Sequence, residues 1–160
     1  MRSTLVYDTI QSSENVTIEQ LLNHTSGIAN SGNNMTCQQD VLNNLTNYFS
    51  LERGVYCGAS QGEDFPPLFT WGYSNTNYSI LAMIIEKVSG QSYDDYITQN
   101  IITPLNLLNT EVPDNDQISG NHLGCYWPTG GPLLDLTIID PSIYKGWASV
   151  VSTTADLNTF

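Results

Sequence analysis

Trp71-Gly72-Tyr73-Ser74-Asn75-Thr76-Asn77-Tyr78 is a polar turn that runs directly into an apolar stretch. Beyond it Tyr78, Leu81, Ile84, Ile85 and Val88 recur at steps of three and four residues, the spacing of one buried helical face. Gly90 stands where a left-handed C-cap would end that helix. Tyr73 and Asn75 thus sit at the mouth of a well-specified helix, two residues apart and able to face one cleft. A phenol can pass a proton, and a carboxamide can accept from one group while donating to another. The plainer reading of the same residues is a capping turn in which Ser74 or Asn75 satisfies free helix amides.

Outward from this turn, the chain reads as helices joined by polar loops. Thr17-Ile18-Glu19-Gln20 fits a capping box, with Ile18, Leu21 and Leu22 as the apolar side of a short helix. It ends in Asn23-His24-Thr25-Ser26-Gly27, a turn punctuated by a glycine and two hydroxyl residues. Val41, Leu42, Leu45, Tyr48 and Phe49 mark a second amphipathic helix, and residues 52–70, with three glycines and Pro66-Pro67, read as irregular. Ser92 caps a further helix that turns Tyr93, Tyr96, Ile97 and Ile101 inward and closes at Pro104. Residues 112–131 suggest short strands or turns, residues 133–139 one extended segment, and Thr153 opens a last helix. Residues 1–15 read as a poorly anchored lead-in. Because the last helix has only begun by Phe160, residues 16–160 are expected to be the interior part of one longer domain.

Bulk properties narrow the function. A chain of 160 residues with 40% hydrophobic content can bury a core as one domain. Its net charge is −12, and its four cations, Arg2, Arg53, Lys87 and Lys145, are scattered, so nucleic acid is not an expected partner. No run approaches the length of a membrane-spanning helix. The histidines and cysteines lack ligand spacing, and no phosphate-binding loop is present, so neither a metal nor an organic cofactor is expected. Cys37 and Cys57 could bridge in an oxidising compartment, leaving Cys125 over; three reduced thiols fit equally well. Asn-Xaa-Ser/Thr acceptors at Asn15, Asn23, Asn34, Asn44 and Asn77 hint at secretion, though the first residues lack the apolar core of a signal peptide.

Four blocks, taken together and in order, resemble the penicillin-recognising serine hydrolases: class C β-lactamases, soluble D-alanyl-D-alanine carboxypeptidases and their esterase relatives. They are Val16 to Ile28; Tyr73 to Tyr78 running into Ile84 to Gly90; Pro104 to Thr110; and Val151 to Leu157. The wording is most similar to the carboxypeptidase branch. The resemblance implies an α+β, β-lactamase/transpeptidase-like fold, here incomplete: mainly the helical lobe with short strands, its N-terminal nucleophile helix and C-terminal sheet expected outside this chain. It also implies attack by the serine of a Ser-x-x-Lys helix and an acyl-enzyme intermediate. In that scheme Tyr73 relays a proton, and Asn75 orients the lysine and holds the substrate amide. Ser74 stands between them. His24, Thr25, Ser26 and Gly27 would form a structural turn beneath the cleft. Substrates would be small molecules or peptides: a D-alanine-terminated peptide, a β-lactam or an ester.

The chain departs from that pattern in ways that matter. No lysine precedes Tyr73, so an upstream Ser-x-x-Lys is absent and no nucleophile is assigned; the chain alone is expected to be inactive. Ser142-Ile143-Tyr144-Lys145 spells the pattern, but follows the tyrosine motif instead of preceding it. His122-Leu123-Gly124 mimics the family's late Lys/His-x-Gly strand too early in the chain, and Ala148-Ser149 stand where paired glycines are usual. Two alternatives stay open. One is a non-catalytic binding module of the same fold. The other is an α/β-hydrolase using Ser60 in Gly58-Ala59-Ser60-Gln61-Gly62, with Asp114 or Asp116 and His122; that elbow requires a strand before Ser60, for which Val55-Tyr56-Cys57 is a meagre candidate.

Overall fold

A computed structural model describes residues 10, 13–113, 118, 120, 122–128 and 130–160. The described elements are α1 (Ile18–Leu22), α2 (Met35–Asn43), α3 (Leu51–Ala59), α4 (Asn75–Ser89), α5 (Tyr93–Ile97), β1 (Tyr126–Trp127), β2 (Leu134–Asp135) and α6 (Thr154–Leu157). The class is therefore α+β and mainly helical, with one antiparallel pair in which Tyr126 faces Asp135 and Trp127 faces Leu134. Of the segment read as a lead-in, Ile10 is buried and Ser13–Asn15 forms a 3₁₀ turn; most of the rest lies outside the described residues.

Helix α4 is the axis. One core cluster, built on Leu51, Ala82, Tyr93, Ile102, Leu107 and Val112, lies against it, and a second, built on Ile10, Leu21, Ile28, Val55 and Ala59, lies against it too. Met83 packs into both. Burial of this kind contributes roughly 25 cal/mol per Å² of apolar area removed from water. The helix ends as its sequence predicts, with Gly90 at φ 72° and its amide donating to Glu86 O.

The expected apolar stripe holds for Leu81, Ile84 and Ile85, which pack partly buried on the two clusters, but the most buried face lies beside it. Asn75, Thr76, Asn77, Ser79 and Ala82 are the buried residues, while Val88 is 82% exposed. Small and polar residues are favoured there because α3 comes unusually close. A Cβ on Gly58 would lie 2.0 Å from Thr76 Oγ1 and 2.7 Å from Ala29 O. At Gly54 a Cβ would face Ser79 Oγ at 3.5 Å. On this face backbone-to-side-chain contact with α3 stands beside the hydrocarbon packing of the two clusters.

Four other expectations are corrected. The second amphipathic helix stops at Asn43, because Asn44 Nδ2 turns back on Asp40 O (2.9 Å) and takes a carbonyl at the helix end. Leu45, Tyr48 and Phe49 lie beyond that helix. The stretch read as irregular contains α3, capped by Ser50 Oγ accepting from the Arg53 amide (3.3 Å). Gly54 and Gly58 disguise it, since glycine disfavours helix in isolation and is here required by packing. Ile102 is buried after α5 and Ile101 only partly so, because a π-helical turn at Thr98–Ile102 shifts the register. In the extended segment only Leu134–Asp135 pairs; Thr137 turns the chain, its amide donating to Asp135 Oδ1 (2.8 Å).

Cys37 and Cys57 are joined by a disulfide that ties α2 to α3, and Cys125 is free and exposed. At the far end Asp156 Oδ2 accepts from the Asn109 amide (2.7 Å) and from Thr110 Oγ1 (2.8 Å), anchoring α6. Among the described residues no helix is long and apolar enough to cross a membrane.

Candidate active site

The turn after α1 and the turn before α4 are fifty residues apart in sequence and form one hydrogen-bonded body. His24 adopts a left-handed conformation, φ 60°, which is sparsely populated by residues with a bulky side chain. That geometry lets both its backbone and its ring reach residues 72–74. The Gly72 amide donates to His24 O (3.0 Å), and the Ser74 amide donates to His24 Nδ1 (3.2 Å). Between those two anchors Tyr73 lays its ring 4.7 Å, centroid to centroid, from the imidazole. Trp71 meets the imidazole edge-on at 6.1 Å, and Tyr78 lies at 5.3 Å on a tilt. Partial burial without a charged partner lowers the His24 pKa from its ordinary value. A neutral imidazole with Nδ1 unprotonated is the form that can accept the Ser74 amide.

The remaining residues of the first turn are structural. Thr25 directs both its amide (3.1 Å) and its hydroxyl (2.6 Å) at Asn23 Oδ1. Ser26 Oγ donates to Asn77 Oδ1 (2.7 Å) and accepts from the Ile28 amide (3.2 Å), all of it buried. Asn77 Nδ2 lies 3.4 Å from His24 Nδ1, so Asn77 joins the serine to the histidine. Gly27 has φ 77°, and a Cβ there would lie 1.8 Å from Phe65 O. Ser26 and Asn77 need each other because an unpaired buried amide or hydroxyl costs about 1–3 kcal/mol. The burial of Asn77 also removes it from the set of usable glycosylation acceptors.

Helix α4 is capped from outside, and this decides what Asn75 can do. Ser74 occupies the N-cap position but makes no side-chain cap; its Oγ donates to Ala29 O (3.2 Å) instead. Thr76 Oγ1 donates to the same carbonyl (2.7 Å) and accepts from the Ser31 amide (2.9 Å). The Asn75 amide donates to Asn30 Oδ1 (3.1 Å). Neither Ser74 nor Asn75 uses its side chain on the helix amides, so the capping-turn reading is replaced. The Asn75 side chain is released from local duty, and its Oδ1 is buried without a hydrogen-bond donor among the described residues. Tyr73 is 53% exposed. The half-exposed phenol and the buried, unserved amide oxygen therefore bracket Ser74.

Of the predicted residues, His24, Ser26, Tyr73, Ser74 and Asn75 are brought together, and Thr25 and Gly27 support the turn beneath them. Sequence reading missed Ala29, Asn30, Thr76, Asn77 and Gly58. Asn77 was read as part of the polar turn and as a glycosylation acceptor, and nothing local announces that the Asn30 carboxamide caps a helix 45 residues away.

The look-alike motifs have structural explanations. Ser60 terminates α3, and Val55-Tyr56-Cys57 is helical instead of a strand, so no nucleophile elbow exists there. Gly58 is fixed by Thr76, while Gly62, at φ 88°, turns the chain so that its carbonyl accepts from the Ala29 amide (3.4 Å). Asp114 and Asp116 lie outside the described residues. Ser142 Oγ accepts from the Phe49 amide (2.8 Å), and Lys145 Nζ is buried in an ion pair with Asp94 (2.7 Å). His122 lines a separate apolar cleft of about 240 Å³, with Cys125, Tyr144 and Ser149; neither Tyr73 nor Asn75 lines it. Burial there raises the Tyr144 pKa, and the Cys125 charge adds to the effect. Among the described residues no three His, Cys, Asp or Glu side chains converge as a metal site.

The family model described as Beta-lactamase matches residues 6–160. This chain belongs to the beta-lactamase family. Penicillin-binding protein 4 of Amycolatopsis lactamdurans is 33% identical over 151 residues, covering 91% of this chain and 37% of that protein. A D-stereospecific amidohydrolase from Streptomyces sp. superposes with a TM-score of 0.84 at 31% identity, over 91% of this chain and 45% of the other. A D-amino acid amidase from Ochrobactrum anthropi shares the fold, with a TM-score of 0.78 at 23% identity, over 96% of this chain and 43% of that one. The chain therefore spans less than half the length of these relatives. The β-lactamase/transpeptidase fold class holds, with the helical lobe as the part in hand.

Proposed function

We propose that this chain carries the tyrosine–asparagine half of a serine acyl-transfer site, with the attacking serine and its lysine supplied by sequence outside it. The observation that carries this reading is the buried, donor-less Oδ1 of Asn75, two residues from the half-exposed Tyr73. A buried amide oxygen without a donor is costly, and an ammonium or a substrate amide would satisfy it. Tyr73 would relay the proton between serine, lysine and leaving group, and Asn75 would hold the lysine and the substrate amide. The substrate class is an amide, lactam or ester of the D-alanine-peptide or β-lactam type, which accords with the names of the penicillin-binding relative and the D-stereospecific amidohydrolase. The Cys37–Cys57 disulfide supports an extracytoplasmic setting.

Fluorescent penicillin is the test. This chain alone is expected to take no covalent label, whereas a protein that joins it to a Ser-x-x-Lys helix is expected to be labelled. Tyr73→Phe in that protein should slow labelling by about 10²-fold or more, as loss of a proton relay does. Label on this chain alone, or a Tyr73→Phe protein acylated at the normal rate, would overturn the reading. The second reading is a binding module of the same fold, in which the Ser-x-x-Lys pair of the longer protein is replaced; it would hold the probe reversibly and never covalently.

A further inference from the structure

His24 grips Tyr73 at three points. Its carbonyl accepts the amide before Tyr73 (Gly72, 3.0 Å), its Nδ1 accepts the amide after it (Ser74, 3.2 Å), and its ring packs on the phenol ring at 4.7 Å. To do so it holds a backbone conformation, φ 60°, that costs a residue with a side chain on the order of 1–2 kcal/mol. A strained residue persists only where its surroundings over-determine it, and such residues concentrate at functional sites. We propose that His24 is a positioning residue that fixes the Tyr73 phenol through the Ser74 amide, and that a proton on His24 Nδ1 releases it. This rests on the reading of Tyr73 as a proton relay.

The proton logic follows from the neighbours. Nδ1 faces two N–H donors, Ser74 N and Asn77 Nδ2 at 3.4 Å. A proton taken from solvent at Nδ1 turns the acceptor into a third donor and removes the bond to Ser74. The titratable groups in contact with the ring are the phenols of Tyr73 and Tyr78, and no carboxylate is paired with it among the described residues. Among the described residues no carboxylate is paired with the ring to hold the imidazolium in place, in keeping with the lowered pKa. The release therefore belongs below the ordinary histidine value of about 6.5.

Nuclear magnetic resonance of this chain, with ring-labelled tyrosine and labelled amides, tests the coupling without turnover. On acidification the Tyr73 ring and Ser74 amide signals are expected to move with the same midpoint as the His24 ring, below pH 6.5. The Gly72 amide, held by a carbonyl, should move less. In His24→Phe, which keeps a ring but has no Nδ1, and in His24→Asn, which tolerates the left-handed backbone, the acid midpoint should vanish from Tyr73 and Ser74. Flat Tyr73 and Ser74 signals while His24 titrates would overturn the proposal. So would an unchanged midpoint in either variant. The wild-type titration decides alone if neither variant folds. Where the protein joined to a Ser-x-x-Lys helix acylates, its rate should fall about tenfold per pH unit below that midpoint. If penicillin labelling fails while the titration succeeds, the acyl-transfer reading falls and the grip of His24 on Tyr73 stands.

Discussion

The junction between residues 24–31 and 71–79 and the hairpin region around β1 and β2 are built on opposite plans. At the junction, Ser26, Thr76 and Asn77 are almost wholly buried and hydrogen-bonded across 45 to 51 residues of sequence. In the hairpin, Leu123, Tyr126, Trp127 and Leu133 are exposed, and the strands are two residues each. The first region is fixed by buried polar groups whose partners lie within the protein, out of reach of solvent. The second keeps its polar groups in reach of solvent and leaves its apolar ones uncovered. Specificity in this molecule is thus written in buried hydrogen bonds and missing side chains, more than in hydrocarbon.

Glycine gives the sharpest contrast. Gly27 and Gly130 both have positive φ, 77° and 82°, but a Cβ on Gly27 would strike Phe65 O whereas one on Gly130 meets nothing within 4 Å. Gly27→Ala is expected to destabilise by about 3 kcal/mol or more, since backbone must move and the left-handed strain adds. Gly130→Ala should cost only the strain, about 1 kcal/mol. Urea midpoints for the two variants measure both. Equal losses would mean that the junction is no tighter than the hairpin.

A second pair tests the buried bonds. Asn77→Ala removes an amide that serves Ser26 and His24, and leaves Ser26 Oγ buried without its acceptor. About 2–3 kcal/mol should be lost. Thr137→Ala removes the hydroxyl that accepts the Cys125 amide (3.0 Å) near the surface, where water replaces it. That loss should stay below about 1 kcal/mol. Chemical denaturation of both, read against the parent chain, gives the difference directly. A large Thr137 effect would show that the hairpin is a packed element in its own right.

How much of this was legible in the sequence follows the same division. The capping box at Thr17, the Gly90 stop and the Thr153 cap could be read because each is a local bargain within four residues. The resemblance that links Tyr73 to Asn75 was legible as wording, and the backbone of the turn agrees with it. What could not be read was non-local. Helix α3 hides behind two glycines whose purpose is the approach of α4. The cap on α4 comes from Asn30, and beside the apolar stripe, which was legible as far as Ile85 but not at the exposed Val88, lies a more deeply buried polar face that periodicity did not announce. Periodicity measures where hydrocarbon could be buried; it is silent where a helix is held by its amides. The role of Asn75 was inferred from the family pattern, and the physical reason it is available, a cap supplied by another loop, appears only in three dimensions.

The smallest effect probes strain at the edge of the junction. Leu68 holds φ 66° although its side chain is 71% exposed, and its amide donates to Thr25 O (2.9 Å), the turn that carries His24. Leucine there gains nothing from burial, so the conformation is imposed by the bond to Thr25 and tolerated at a cost of about 1–2 kcal/mol. Leu68→Gly removes that cost, and the added freedom of the unfolded chain returns about 0.5–1 kcal/mol of it. The net should be a gain of about 0.5 kcal/mol. Leu123, 94% exposed and without positive φ, is the control: Leu123→Gly has no strain to relieve and should lose about 0.5 kcal/mol through the unfolded state. Two exposed leucines replaced by the same residue should therefore move the urea midpoint in opposite directions. Movement in the same direction would mean that Leu68 is held by contacts of its side chain, and that the junction extends further toward Phe69 and Trp71 than its hydrogen bonds indicate.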